Sequence, residues 1–247
     1  EYLSIVETRI DKEGKIITDA FVSKESVGND TTVFEQLLSE LGIENESDLW
    51  NQFFEKGITL PPNLIVIGTV NMDETTHSFS RKVLDRAMTI EMNDINLFGG
   101  LEETNLDWTY PDVFIPFEWL QNKYTGGGQV YSKFKEDADK VIEFLEKINV
   151  VVGNTPFKIA YRVRDEFLIY CYHVSLLENK PDAWLKNSLD EMTYMKILPR
   201  IEGDAEKTEV LKELKELFNA ENLTRSLAKA EDMEYRRIKY HYTSFWS

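Results

Sequence analysis

The period of the apolar positions changes several times along the chain, and each change marks a different predicted element. In 14-GKIITDAFVS-23 the β-branched residues read as a strand or hairpin arm. In 33-VFEQLLSEL-41 apolar residues at 33, 34, 37, 38 and 41 predict an amphipathic helix, with Asp30, Thr31 and Thr32 as candidate caps. Pro61 and Pro62 then break the chain before 64-LIVIGT-69, a short unbroken apolar run of the kind that forms a strand covered on both faces. Ser78 or Ser80 can start a short helix that turns Val83 and Leu84 inward, and 88-MTIEM-92 alternates like a further strand. Strand, loop, helix, strand is the order of an α/β sheet, which predicts parallel pairing.

From Asn93 to Gly128 no period is sustained; Asn, Asp, Pro, Gly and aromatic residues dominate, and the segment is read as a connector or insertion ending in a flexible triple glycine. Beyond it the helical period returns over 134–148, 165–177, 184–198, 206–218 and 222–238, predicting a helical domain. The expected organisation is therefore an α/β part over 1–92, a connector over 93–130 and a helical domain over 131–247. Residues 1-EYLSIVETR-9 look like the end of a helix that begins before the chain does.

Composition narrows the functions. Lys and Arg total 28 against 44 Asp and Glu, a formal charge of -16, so the average surface repels phosphate backbones and nucleic-acid contact is expected through other segments. A single cysteine, Cys171, within 167-FLIYCYHVSLL-177 excludes an internal disulfide framework and is read as core packing. No apolar run reaches the length of a membrane span and no signal peptide is recognisable, so a soluble cytoplasmic protein is expected. His77, His173 and His241 lack ligand spacing, so no metal site is expected, and His173 is read as a core histidine. Trp108, Tyr110, Phe114, Phe117, Trp119 and Tyr124 are read as the core of an inserted subdomain. Arg236, Arg237 and Lys239 form the one concentrated basic cluster, at a helix end that favours cations.

The chemistry concentrates between residues 60 and 92. A strand ending in 68-GTVN-71 places the Asn71 amide at the carboxyl edge of a sheet, where α/β proteins bind ligands; an amide can hold a water and a phosphate oxygen together. Downstream, 84-LDRA-87 puts Arg86 at the end of a short helix, where a guanidinium can reach a neighbouring subunit's phosphate.

With these residues in place, 60-LPPNLIVIGTVNMDETTHSFSRKVLDRAMTIEM-92 resembles the sensor-1 to arginine-finger region of AAA+ ATPases. The closest likeness is to the McrB-like branch of modified-DNA restriction motors; the MoxR-like remodelling branch, which shares an Leu-Asp-Arg element, is the nearby alternative. The resemblance implies that Asn71 orients the attacking water as sensor 1 and that Arg86 is the arginine finger acting in trans. It extends more loosely to 161-YRVRDEFLIYCY-172 as a lid helix carrying sensor 2, carried onto Arg162 with Arg164 as second choice, and to 195-MKILPRIEGD-204 and 233-MEYRRIKYHYTSFW-246. The implied whole is a hexameric ring hydrolysing ATP or GTP with Mg²⁺, translocating DNA for restriction with a nuclease or effector subunit. The departures are equally plain: no G-x-x-x-x-G-K-[ST] occurs, no apolar strand ends in Asp-Glu, and 71-NMDETT-76 has threonines where the McrB-like signature has an arginine. The chain is thus expected to be a C-terminal part whose gripping half lies upstream, inactive alone and with no nucleotide bound tightly. A non-catalytic helical interaction module is the reading of a different class.

Overall fold

The computed structural model describes residues 5, 9–12, 15–61, 63–71, 79–92, 97 and 123–246. The chain opens with a hairpin in which β1 (Arg9–Lys12) pairs antiparallel with β2 (Lys15–Thr18). β3 (Ala20–Val22) pairs antiparallel with β4 (Ile58–Thr59), and two helices lie between them: α1 (Thr31–Glu40) and α2 (Asp48–Lys56). The predicted cap is used, since Asp30 accepts from the backbone N–H groups of Thr32 and Val33. Ser47 does the same for α2 through the Trp50 N–H. The inner faces are closed by Phe34 and Leu38, with Trp50 stacked on Phe54 at 4.5 Å. Gly57, at φ 84°, lets β4 start hard against β3: a Cβ there would sit 2.7 Å from the Ala20 Cβ.

The second half is a helical bundle. After the short α3 (Arg81–Leu84) and α4 (Gly128–Tyr131) come α5 (Lys135–Val152) and α6 (Tyr161–Ser175). α7 (Trp184–Met192) runs without a break into a π-turn (Thr193–Ile197) and a 3₁₀ turn (Leu198–Arg200). α8 (Leu211–Ala220) and α9 (Thr224–Tyr240) follow, and β5 (Gly203–Asp204) pairs antiparallel with β6 (Tyr242–Thr243). Each of the five predicted helical stretches forms helix. One continuous apolar core joins them, from Val130 and Ile148 through Phe167, Met192 and Leu198 to Phe218 and Phe245. Cys171 lies fully inside it, and burial pushes its thiol up to about 12, so it packs as a small apolar group.

Two polar devices fix the bundle's loops. The Asn149 side chain donates to the Ile159 carbonyl and accepts from the Ile159 N–H, standing in for a strand partner just before α6. The Asp190 carboxylate, on α7, accepts from the N–H groups of Arg225 and Ser226 at 2.9 and 2.8 Å and so caps α9 from another helix.

Several expectations change. The run 64–69 forms no strand and joins no ladder among the described residues, and Ile65, Val66 and Ile67 are exposed. The physical reason is that a fully covered strand needs neighbours on both edges. The ladders described here are antiparallel pairs elsewhere in the chain. The 88–92 segment likewise forms no strand. The middle of the triple glycine is packed: Gly127 is buried, and a Cβ on it would meet Leu168 Cδ1 at 2.7 Å and Asp165 Oδ1 at 2.9 Å. His173 is exposed against the rings of Tyr124 and Tyr172, not in the core. Residues 98–122, which carry most of the aromatic-rich segment, lie outside the described residues, as does His77.

Because Asp190 is buried and serves two backbone donors, Asp190→Ala is expected to lower stability by about 2 kcal/mol. Urea denaturation checks this; a loss near zero shows that water replaces the cap without cost.

Candidate functional site

The segment after α3 has its polar side chains against the bundle and its apolar ones outward. Four polar fastenings hold it. Lys196, on the π-turn, has a side chain with no solvent exposure, and its Nζ donates to the Asp85 and Ala87 carbonyls at 3.0 and 3.1 Å. Glu166 Oε2, from α6, supplies the counter-charge 2.8 Å away. Arg200 Nε meets Asp85 Oδ1 at 3.1 Å. The Thr89 N–H donates to the Met195 carbonyl at 3.2 Å. Finally Lys229 Nζ holds both Glu91 oxygens, at 2.7 and 2.8 Å, while the Tyr194 hydroxyl donates to Glu91 Oε2. The complementary faces are apolar and open: Met88 is 46%, Ile90 70% and Met92 88% exposed, the reverse of an ordinary surface strand.

The Lys196 site is built by local structure on both sides. A π-turn widens the helix at Thr193–Ile197, and Thr193, Lys196 and Ile197 are all buried. α3 is a single turn, too short to be stable alone. Its Arg81 and Val83 carbonyls accept backbone N–H groups and its Lys82 carbonyl accepts the Arg86 side chain, and the Lys196 ammonium fastens the turn that follows through the Asp85 and Ala87 carbonyls. Burial raises the Glu166 carboxyl above the ordinary Glu range, outweighing the opposite pull of Lys196 and of Arg162.

The structure brings two of the four predicted residues to this junction. Arg86 lies between the two carbonyls that Lys196 holds, and its Nη1 donates back to the Lys82 carbonyl at 2.9 Å, a cation at a helix C-terminus. Arg162 is exposed at the start of α6, one turn from Glu166, whose carboxylate it stabilises. Arg164 is spent on its neighbour, with Nε and Nη2 on Asp165 Oδ1 at 2.8 and 2.6 Å and its guanidinium over the Tyr161 ring. Asn71 stands exposed at the end of the 63–71 run; residues 72–78 after it lie outside the described residues.

Sequence reasoning missed Lys196, Glu166, Glu91 and Lys229. The one available signal was a lysine inside the apolar stretch 195-MKIL-198, where a charge demands a partner. The basic cluster near the C-terminus is consumed internally. Arg237 is buried beside Glu234 and donates to the Ala205 carbonyl, Arg236 pairs with Asp232, and Lys239 lies over the rings of Tyr235 and Tyr240. Among the described residues no group of His, Cys, Asp and Glu could hold a metal, and no helix is long and apolar enough to cross a membrane.

This arrangement, a helical bundle carrying a buried charge junction, is what the comparisons address. The family model described as "Domain of unknown function (DUF8727)" matches residues 111–242, more than half of the chain. The chain belongs to that family. No curated protein and no solved structure matches it significantly. The matched span contains Lys196, Glu166 and Arg162; Asn71 and Arg86 precede it.

Removing the ammonium leaves two buried carbonyls and a buried carboxylate unpaired, so Lys196→Met is expected to cost about 3 kcal/mol or more and to expose the 85–91 segment. Urea denaturation with limited trypsin cleavage after Arg86 measures both. The pH dependence has a definite sign. Because the folded state raises the Glu166 pKa, its contribution is most favourable below the unfolded value, near 4.5, and is lost as pH rises through the folded value. Wild type is therefore expected to lose stability relative to Glu166→Gln as pH rises from that range to neutrality; a difference that is flat with pH overturns the assignment.

Proposed function

We propose that this chain is the helical lid, with the adjoining sensor-1 and arginine-finger segment, of an AAA+ NTPase of the McrB-like branch. In this reading Asn71 positions the attacking water, Arg86 stabilises transition-state charge on a neighbouring subunit, and Arg162 reports nucleotide state through the lid. The observation that carries the reading is the orientation of 85–91: Asp85, Thr89 and Glu91 are fastened to the bundle while Met88, Ile90 and Met92 face outward. With Ile65, Val66 and Ile67 also exposed, both predicted strands present apolar surface of the kind that the rest of an α/β core covers.

The reading requires a phosphate-gripping loop and a Walker B strand outside these 247 residues, since none occurs within them. ATP or GTP with Mg²⁺ would then be bound by those elements, in a hexameric ring with a nuclease or effector partner and DNA translocation as its work. A MoxR-like remodelling ATPase shares the same site assignment. The exposed apolar strip also favours the second class of reading, a helical interaction module that docks a protein partner there.

The coding sequence around residue 1 separates the classes: a reading frame with G-x-x-x-x-G-K-[ST] and an apolar strand ending Asp-Glu ahead of Glu1 supports the NTPase, and one lacking both overturns it. In the protein carrying those motifs, Arg86→Ala is expected to lower turnover by about a hundredfold or more while nucleotide affinity of a single subunit stays within a few-fold. Equal losses in turnover and affinity assign Arg86 to structure alone. The 247-residue chain by itself is expected to show neither ATP or GTP hydrolysis nor micromolar affinity for either nucleotide by calorimetry.

A further inference from the structure

A cleft of about 300 Å³ opens between the start of α3 and the turn that links β5 to α8. Three cations line it: Arg81, Arg200 and Lys207. In a chain of net charge -16 such a concentration needs a reason. The carboxylates that face the three are two. Glu202, on the wall, accepts from the Tyr242 hydroxyl at 2.6 Å, and Asp85, behind the wall, pairs with Arg200. Asp204 lies at the edge of the turn, where its Oδ1 accepts the Lys207 backbone N–H at 2.8 Å. Arg81 and Lys207 have no carboxylate at ion-pair distance among the described residues; Arg81 lies instead over the Phe157 ring at 5.7 Å. Arg200 Nη1 is buried with no hydrogen-bond acceptor, a donor left over on a guanidinium whose Nε already holds Asp85.

The turn is shaped to keep Lys207 there. Gly203 has φ 146°, and a Cβ on it would fall 2.7 Å from Lys207 Cδ and 3.3 Å from its Nζ, so the lysine folds over a residue that has no side chain. The remaining lining is apolar or aromatic, from Phe79, Leu84 and Tyr242. A second cleft, of about 260 Å³ beside α5, has two of its three lysines paired, Lys147 with Glu221 at 2.6 Å and Lys140 with Asp137 at 3.0 Å, and carries Glu143 besides. Two of the three cations of the first cleft, Arg81 and Lys207, are exposed and have no carboxylate partner among the described residues, while Arg200 is held by Asp85 and by the Lys158 carbonyl.

We propose that the cleft formed by Arg81, Arg200 and Lys207 binds a small organic phosphate. The phosphoryl group meets the three cations, and a compact apolar or ring portion rests on Phe79, Leu84 and Tyr242. A phosphoryl dianion accepts from several donors at once, which suits a forked guanidinium with a spare N–H next to an ammonium. A bare anion would leave the aromatic wall unused, and a volume near the lower limit of ligand pockets fits a small molecule better than a nucleotide. The proposal does not depend on the NTPase reading.

Phenyl phosphate and inorganic phosphate serve as probes, titrated separately at constant ionic strength into the 247-residue chain, with calorimetry for affinity and the Gly203 amide NMR signal for location. Phenyl phosphate is expected to bind at one site and shift Gly203, and inorganic phosphate to bind about tenfold more weakly. In Arg81→Gln/Lys207→Gln, which changes two exposed side chains and leaves the Arg200–Asp85 pair intact, affinity is expected to fall about tenfold or more. Gly203→Ala, which displaces the lysine, is expected to weaken binding in the same direction. Absence of saturable phenyl phosphate binding, equal affinity for inorganic phosphate, or unchanged affinity in the folded double variant overturns the proposal.

Discussion

A lysine ammonium with no solvent exposure is tolerable only where its charge and its N–H donors are answered by the protein, and Lys196 is the point at which this fold meets that condition. Glu166 comes from α6, the two carbonyls from the turn after α3, and the ammonium itself from a π-turn at the end of α7. None of these parts is satisfied alone. The single-turn α3 is too short to be stable alone, Glu166 is pushed toward its neutral form by burial, and a regular α-helix at 193–197 would aim its side chains differently. The junction is therefore a mutual constraint. It fixes where the first half of the chain meets the bundle and sets the orientation of everything from Asp85 to Glu91.

How much of this was legible follows from the range of the interactions involved. The bundle helices were readable because a 3.6-residue period is written locally, and α1 could be placed together with its Asp30 cap because donor and acceptor lie two or three residues apart. The cap on α9 was not, since Asp190 reaches it from 35 and 36 positions away. The apolar run 64–69 carried a strand-like signal, but whether such a run pairs depends on neighbours it does not itself specify. The alternation in 88–92 predicts a strand, and no strand forms there; its inner side holds Thr89 and Glu91 because Met195, Lys229 and Tyr194 supply their partners. Period alone does not say which face is wet.

The candidate site divides in the same way. Arg86 and Arg162 were picked from a motif, and the structure adds that both flank the Lys196 junction. Arg164, the competitor of Arg162, is occupied by Asp165 and Tyr161, a choice between two nearby arginines that only side-chain geometry makes visible. The cleft at Arg81, Arg200 and Lys207 had no sequence signal, because Arg81 lies far along the chain from the other two and is joined to them only by the packing of the 200–207 turn on α3.

One mechanical consequence bears on how such a chain could work in a motor. If nucleotide turnover moves a helical lid against an α/β core, the hinge must lie where few contacts are broken. It cannot lie between Asp85 and Glu91, for the bundle grips that segment by a buried ammonium, two further ion pairs and a backbone hydrogen bond. Separating them would take two carbonyl acceptors from the buried Lys196 ammonium and break the Lys229–Glu91 and Arg200–Asp85 pairs together. Arg86 then belongs mechanically to the bundle and travels with Arg162 as one body. In the proposed NTPase a displacement of the lid would carry Arg86 with Arg162, so the roles proposed for the two would need no relay between them beyond Glu166 and Lys196.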